Sequence, residues 1–208
     1  MIVLDHDQGS AEWHFARLGL PTSSEFDRIL TPTLKPSKQA ETTYLYDKLA
    51  EWAVGESQSA DGGESPWMRR GTNMEAEARK WYEFEYGVTV EQVGLCLSDD
   101  GLIGCSPDGL VGEAGLVEIK NKSASHHIGS LLGADAHAHR CQTQGQLLVT
   151  GREWVDLVLY SPLMPVHTTR NEVDEEWRDA FKPELEKFLQ RFEAAKDVLR
   201  AKGVRGKD

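Results

Sequence analysis

The sequence predicts a mixed α/β fold (α+β), with helices flanking a central mixed sheet. Three observations support this prediction. Helical and strand-like stretches follow one another in the order α–β–β–β–α–β–α, which implies a mixed sheet covered by helices. The 208 residues suffice for one sizeable core. The 39% apolar and 27% charged residues are typical of a globular protein. We therefore expect one domain over residues 1–208, in which 172–208 form a C-terminal helix and a basic tail.

The helices are predicted from apolar residues that recur at helical spacing. Thr72-Asn73-Met74-Glu75 is typical of a capping box, so a helix is expected to begin there and to end at Gly87. Pro183 lies near an early turn or a break of the last helix. The expected helices cover residues 41–54, 72–86, 137–150 and 172–202.

The strands are predicted from short apolar stretches that turn residues separate. Three such stretches lie in the middle of the chain, at 88–97, 101–106 and 115–120. The run Trp154–Tyr160 predicts a further, buried strand. The expected loops, rich in Pro, Gly, Ser or charge, are 31–38 and 55–66.

The composition narrows the class of protein. No apolar run is long enough to span a membrane, and the start of the chain lacks the pattern of a signal peptide. Three cysteines without a C-x-x-C pair indicate a reduced, cytoplasmic protein.

The net charge of -11 argues against nucleic-acid binding, because phosphate contacts need Lys and Arg. The charge is uneven, however: residues 51–120 hold 14 Asp/Glu against 5 Lys/Arg, and residues 196–208 hold 5 Lys/Arg against 2 Asp. A basic surface can therefore coexist with an acidic pocket suited to a divalent metal.

A turn and the strand after it carry the candidate chemistry. The turn S-P-D-G contains Asp108, and the strand contains Glu118, Ile119 and Lys120. Alternate residues of a strand share a face, so Glu118 and Lys120 are expected to point the same way, with Ile119 toward the core. A hairpin can return Asp108 to the side of Glu118. Two carboxylates and one ammonium would then converge.

Such a trio suits the hydrolysis of a phosphodiester. Carboxylates are hard ligands for Mg²⁺, which can activate a water molecule and polarise a phosphate. A lysine can position that water and offset the charge that develops on the phosphate. The alternative is an edge strand whose Glu118 and Lys120 are solvated and paired across the sheet.

Blocks of the sequence match, in order, those of the lambda-type (YqaJ-like) phage recombination exonucleases, and the chain resembles this group of the PD-(D/E)xK nuclease superfamily. The resemblance spans roughly residues 8 to 160 and implies a central sheet like that of restriction endonucleases. The matching blocks are Gln8-Gly9-Ser10, Trp13, Arg17-Leu18-Gly19, Thr22-Ser23-Ser24-Glu25, Gly71 with Glu75, Cys105 to Leu110, Leu116 to Lys120, Gln142-Thr143-Gln144 with Val149-Thr150, and Tyr160-Ser161-Pro162.

The resemblance implies a metal site with two ions. Asp108, Glu118 and the backbone carbonyl of Ile119 would bind Mg²⁺, with Mn²⁺ as a possible substitute. Lys120 would orient the attacking water. Glu75 would add a carboxylate near the second ion, although a plain capping-box glutamate is the alternative.

Two further groups of residues receive roles from the resemblance. Gln144, in preference to Gln142, would contact the attacking water or Lys120; a solvated helix face is the alternative for both glutamines.

A second group would hold the 5′-terminal phosphate of DNA, since a guanidinium fork matches a phosphate. The alternative for residues 22–25 is a helix N-cap with a capping box, and the two interpretations are compatible. The phosphate-binding group is Arg17, Thr22, Ser24 and Ser106.

The activity that the resemblance implies is Mg²⁺-dependent 5′→3′ digestion of one strand of linear double-stranded DNA. Mononucleotides and 3′ overhangs would be the products. A homotrimeric ring, a single-strand annealing protein as partner, and a phage or prophage origin are also implied. Two alternatives remain: a PD-(D/E)xK endonuclease of restriction or repair type, and an inactive module that binds DNA ends.

The sequence departs from the family pattern in residues 121–140, which are rich in histidine. A structural zinc site is one interpretation, but no matching Cys or Glu spacing accompanies the histidines, and exposed or DNA-facing residues are the alternative. Trp67 and Met68 are candidates for an apolar wedge between DNA strands. The histidines concerned are His126, His127, His137 and His139.

Overall fold

A computed structural model describes residues 1–57, 66–134 and 137–207, with the backbone alone for 66–73. Six α-helices and a 3₁₀ helix combine with eight strands over these residues. The helices are α1 (Ala11–Arg17), the 3₁₀ helix (Ser23–Arg28), α2 (Lys38–Val54), α3 (Pro66–Tyr86), α4 (Ala124–Leu131), α5 (Arg140–Thr150) and α6 (Glu175–Ala201). The strands are β1 (Ile2–Leu4), β2 (Val90–Glu91), β3 (Leu95–Leu97), β4 (Gly104–Cys105), β5 (Gly109–Val111), β6 (Gly115–Asn121), β7 (Trp154–Tyr160) and β8 (His167–Glu172).

The larger sheet has five strands in the order β2-β5-β6-β7-β8. Strands β6 and β7 are parallel, and the other neighbours are antiparallel. A parallel pair needs a crossover connection, and α4 and α5 lie within it. The expected mixed sheet flanked by helices is therefore confirmed.

The smaller sheet pairs β3 with both β1 and β4. Its last strand leads directly into Ser106 and the turn that contains Asp108. Thr22 forms a parallel bridge to Gly104, so the segment before the 3₁₀ helix is attached to the same edge. The small sheet thus connects the predicted phosphate-binding residues to the predicted metal-binding turn.

The largest hydrophobic cluster packs α6 against α2, α5 and the 3₁₀ helix. Its residues on α6 recur at intervals of three and four, which is the spacing of one helical face. Trp177 stacks on Phe181, which also contacts Phe26 of the 3₁₀ helix, and Phe188 stacks on Tyr44 of α2. Helix α6 continues through Pro183 without a break.

Several boundaries differ from the sequence prediction. Helix α3 begins at Pro66, so the predicted capping box at Thr72–Glu75 is wrong, because those residues lie inside the helix. Strands β1, β5 and β8 and helices α1 and α4 were not predicted. Helix α5 begins at Arg140 and α6 at Glu175, three residues later than expected in each case. No helix in the described part of the chain is both long and apolar enough to cross a bilayer.

Candidate active site

The hairpin β5–β6 brings the two predicted carboxylates together. Gly109 pairs with Val117, so Asp108 stands opposite Glu118 in the same register. Asp108 Oδ2 accepts a hydrogen bond of 2.6 Å from the backbone N–H of Ile119. Glu118 is buried, with 3% of its surface exposed. The hairpin therefore places the half-buried Asp108 beside the buried Glu118, as the sequence predicted.

Lys120 lies beside Glu118 on the same strand face. Its Nζ is 2.7 Å from Glu118 Oε1. Burial by itself would lower the pKa of Lys120, but Glu118 and then Asp108 raise it above its usual value. The lysine is therefore a firmly charged ammonium at the edge of the carboxylate pair.

Helix α3 contributes Glu75 to this corner. Burial raises the pKa of Glu75; the positive charge of Arg79 opposes that rise, and the negative charge of Glu118 adds to it. Arg79 forms an ion pair with Glu75 one helical turn away, and its Nε is buried without a hydrogen-bond partner among the described residues. Arg79 was not predicted to be in the site. The spacing of four residues from Glu75 was the available signal.

Helix α5 presents two glutamine amides to Glu118. Gln142 Nε2 donates to Oε1 at 2.7 Å, and Gln146 Nε2 donates to Oε2 at 2.6 Å. The resemblance placed Gln144, in preference to Gln142, at the attacking water or Lys120, but in the structure the Gln144 side chain contacts a different segment. Its Nε2 donates to the carbonyl of Glu172, and its Oε1 accepts from the N–H of Asp174, so it joins α5 to the start of α6.

The glutamines follow helical periodicity. Residues 142 and 146 are four apart and share a face, whereas residue 144 points elsewhere. This spacing was the signal that could have identified Gln146 from the sequence. On another face, α5 packs closely against the 3₁₀ helix: a Cβ at Gly145 would lie 2.5 Å from Cδ2 of Phe26.

The donor set fits a hard divalent cation. Burial raises the pKa of Asp108 well above its usual value, and the nearby negative charges of Glu118 and Glu75 raise it further. A divalent cation would relieve this repulsion between buried carboxylates. Across the described residues, no three His, Cys, Asp or Glu side chains form a metal-binding cluster by themselves. A site here would therefore depend on the backbone carbonyl of Ile119 as well as on carboxylates.

The predicted phosphate-binding residues converge beside the hairpin. Arg17 Nη1 donates to Ser106 Oγ at 3.3 Å, and its Nη2 donates to Thr22 Oγ1 at 3.4 Å. Thr22 Oγ1 lies 3.3 Å from Ser24 Oγ. Trp13 was not assigned a role, but its Nε1 donates to Ser106 Oγ, and its ring lies 4.3 Å from the Arg17 guanidinium. We call Trp13, Arg17, Thr22, Ser24 and Ser106 the hydroxyl pocket.

Arg17 lacks a carboxylate partner in the part of the chain that the structure describes. Within residues 1–57, 66–134 and 137–207, no ion pair involving Arg17 is present. Burial lowers the pKa of Arg17, and Glu25 opposes this effect from a distance. Arg17 is half-buried, and among the described residues its guanidinium contacts neutral hydroxyls and an indole, so it is suited to an anionic ligand.

The alternative capping box at residues 22–25 does not form. Thr22 precedes the 3₁₀ helix, but its side chain makes no capping hydrogen bond. The Glu25 carboxylate instead pairs with Arg28 and Lys48. The Thr22 hydroxyl therefore remains in the hydroxyl pocket.

The four histidines lie in three different surroundings. His127 on α4 is fully buried, with Nε2 2.8 Å from the carbonyl oxygen of Pro165. His126 Nδ1 lies 2.7 Å from Ser123 Oγ, and His137 and His139 line a cavity at the start of α5. The absence of a three-residue metal cluster from the described part of the chain gives no support to a structural zinc site there. The candidate wedge residues Trp67 and Met68 have side chains outside the described residues.

Comparison with known families assigns the chain. The model of the YqaJ-like viral recombinase domain matches residues 12–153, well over half of the chain. The chain belongs to this family. The resemblance to lambda-type, YqaJ-like exonucleases that the sequence predicted is therefore confirmed. No curated protein sequence matches the chain significantly.

Solved structures of similar proteins agree with the fold of this YqaJ-like domain. An alkaline exonuclease from Laribacter hongkongensis, LHK-Exo, is 30% identical, with a TM-score of 0.81 over 93% of this chain and 98% of that chain. LHK-Exo in complex with dAMP gives 31% identity and a TM-score of 0.80 over the same shares. A phage-related exonuclease from Haemophilus somnus 129PT, 12% identical, has a TM-score of 0.64 over 95% of this chain and 97% of that chain, and supports the fold alone.

Proposed function

We propose that this YqaJ-like protein is a Mg²⁺-dependent 5′→3′ exonuclease that digests one strand of linear double-stranded DNA and leaves 3′ overhangs. One observation carries the proposal. Ser106 of the hydroxyl pocket and Asp108 of the carboxylate hairpin are two residues apart on one turn. A pocket for a terminal phosphate therefore adjoins a site for hydrolysis, as an enzyme that begins at a 5′ end requires.

Each residue of the proposed metal site has a distinct role. Asp108, Glu118, the carbonyl of Ile119 and Glu75 would hold two Mg²⁺ ions, for which Mn²⁺ could substitute. The bound metal supplies polarisation of the phosphate and a lowered pKa of water. Lys120 holds the attacking water by hydrogen bonding, and its fixed positive charge offsets the negative charge that grows on the phosphate.

The hydroxyl pocket sets where cleavage begins. Arg17 offers two N–H groups to the oxygens of a 5′-phosphate, and the hydroxyls of Thr22, Ser24 and Ser106 can donate to the same group. A terminal 5′-phosphate fits this pocket better than an internal phosphodiester, because the terminal group carries more charge. Mononucleotides are the product that we expect, and LHK-Exo, a relative, has been crystallised with dAMP.

The proposal extends to assembly and partners. We include a homotrimeric ring around DNA and a single-strand annealing protein that receives the 3′ overhang. A ring is compatible with the net charge of -11, since only the lining of its channel needs to be basic.

Digestion of defined DNA ends tests the proposed function. Linear duplexes with a 5′-phosphate or a 5′-hydroxyl, and a covalently closed circle, are incubated with Mg²⁺ or EDTA. We expect Mg²⁺-dependent release of mononucleotides from linear DNA only, faster with the 5′-phosphate. Lys120→Ala should reduce the rate by about a hundredfold or more. Lys187→Ala, at an exposed ion pair on α6, is the control and should leave the rate unchanged.

Two outcomes would contradict the proposal. Equal cleavage of closed circles would indicate an endonuclease. DNA binding without any Mg²⁺-dependent release of nucleotides would indicate an inactive module that binds DNA ends.

A further inference from the structure

The Glu118 carboxylate is held at both of its oxygens. Oε1 accepts from Gln142 and lies beside Lys120, whereas the only donor to Oε2 among the described side chains is Gln146, at 2.6 Å. Removal of Gln146 would therefore free one oxygen of the carboxylate and leave the other in place. The two glutamines are not redundant, because each fixes a different oxygen.

Gln146 is an unusual choice for a core position. It is fully buried, and its Oε1 has no hydrogen-bond donor among the described residues. An unsatisfied buried acceptor lowers stability, and an apolar side chain of similar size would avoid that cost. Packing alone thus favours leucine or methionine at position 146. The amide is explained by its contact with Glu118.

Neighbouring packing gives the amide little freedom. Gly145 closely contacts Phe26, so α5 cannot approach the 3₁₀ helix further, and the other face of α5 contacts the sheet. Leu147, the next residue, is also fully buried. The position of Gln146 Nε2 is therefore set by the fold before any ligand binds.

We propose that Gln146 is a positioning residue that orients Glu118 for binding a divalent cation. The inference rests on the proposed function, since it takes Glu118 as a metal ligand. Residues that hydrogen-bond a ligating carboxylate fix its direction before binding, and their loss typically weakens metal affinity by about 10–100-fold. Gln146 acts through Glu118 and does not itself contact the substrate.

A metal titration without DNA tests this role. Binding of Mn²⁺ is measured by electron paramagnetic resonance on the wild type, Gln146→Met and Gln144→Met. The two glutamines share a helix, are both buried and are both hydrogen-bonded, but Gln144 contacts the 172–174 segment instead of Glu118. We expect Gln146→Met to raise the Mn²⁺ Kd by about tenfold or more, and Gln144→Met to leave it unchanged.

The concentration of Mg²⁺ that gives half-maximal activity provides a second readout. We expect it to rise in Gln146→Met by the same factor as the Mn²⁺ Kd, while kcat at saturating Mg²⁺ stays within a few-fold of the wild type. An unchanged Kd in folded Gln146→Met would overturn the inference. An equal loss in Gln144→Met would also overturn it, because general packing of α5 would then explain the effect.

The folding of the variants is checked by circular dichroism. If Gln146→Met does not fold, Gln146→Asn replaces it, since its amide is one methylene too short to hold Oε2. Failure of both to fold, while Gln144→Met folds, would assign Gln146 to stability and overturn the inference. A wild type that binds no Mn²⁺ and digests no DNA would instead refute the proposed function.

Discussion

Replacement of Arg17 by methionine should remove the preference for a 5′-phosphate. Methionine has a similar length and no charge, so it leaves the surrounding backbone in place. In the structure the guanidinium contacts Ser106 and Thr22 at 3.3 and 3.4 Å and has no acidic partner in the described part of the chain. These long contacts with neutral hydroxyls leave most of its hydrogen-bonding capacity for a ligand.

The size of the effect follows from the two N–H groups that Arg17 can offer to one phosphate. A hydrogen bond to a charged group contributes about 1.5–3 kcal/mol. Two such bonds, at the lower end, amount to about 3 kcal/mol, and each 1.4 kcal/mol is about a factor of ten. The ratio of kcat/KM for 5′-phosphate ends to that for 5′-hydroxyl ends should therefore fall by about a hundredfold in Arg17→Met.

The assay compares single-turnover digestion of two linear duplexes that differ only in the 5′ group. Arg17→Lys should fall between the wild type and Arg17→Met, since an ammonium keeps the charge but not the planar fork. Arg178→Met, at a surface ion pair on α6, is the control. If Arg17→Met discriminates between the two ends as well as the wild type does, the hydroxyl pocket does not bind the terminal phosphate.

Two predictions concern stability. Leu163 is fully exposed with φ of 64°, and Leu163→Gly should raise the free energy of unfolding by about 1 kcal/mol in urea titrations, because glycine adopts this conformation without strain. Asp174 caps α6; burial would raise its pKa, but hydrogen bonds from the Trp177 N–H and from Arg140 lower the pKa below its usual value. Its contribution to stability should be complete above the unfolded pKa and lost as the pH falls through the folded one. The stability of Asp174→Asn, followed by thermal unfolding, should consequently fall less between pH 5 and pH 3 than that of the wild type. An equal fall in melting temperature in both proteins would contradict this.

The carboxylate hairpin could be predicted from the sequence because it is local. Strand alternation orients Glu118 and Lys120, and a short turn returns Asp108 to them. The hydroxyl pocket joins residues 17, 22 and 24 to residue 106, far apart in the chain, so only the ordered resemblance to a family could bring them together. Their mutual contacts agree with that resemblance.

The choice between glutamines failed for a geometric reason. The preference for Gln144 came from the resemblance, which matches a block of residues but does not say which of their side chains face Glu118. Spacing by four, as in Gln142 and Gln146, is informative without a known helix boundary. The capping box at Thr72–Glu75 failed because a local pattern does not exclude a helix that begins earlier, at Pro66.

Strand β8 could not be recognised from its sequence. This strand has the sequence His167-Thr168-Thr169-Arg170-Asn171-Glu172, which is polar throughout. It is the last strand of the sheet, with β7 as its one neighbour among the described strands. Strands of this kind are specified by the partner to which they bind, here the buried β7, more than by their own residues.

The contact between Gly145 and Phe26 links the two halves of the proposed enzyme. Helix α5 holds Glu118 on one side, and the 3₁₀ helix on its other side begins next to Thr22. In the proposed enzyme, the close approach of α5 and the 3₁₀ helix at Gly145 would help to set the distance between the hydroxyl pocket and the carboxylate hairpin. A side chain at residue 145 would push α5 and the 3₁₀ helix apart, and the distance between the two proposed sites would then change through a residue that belongs to neither of them.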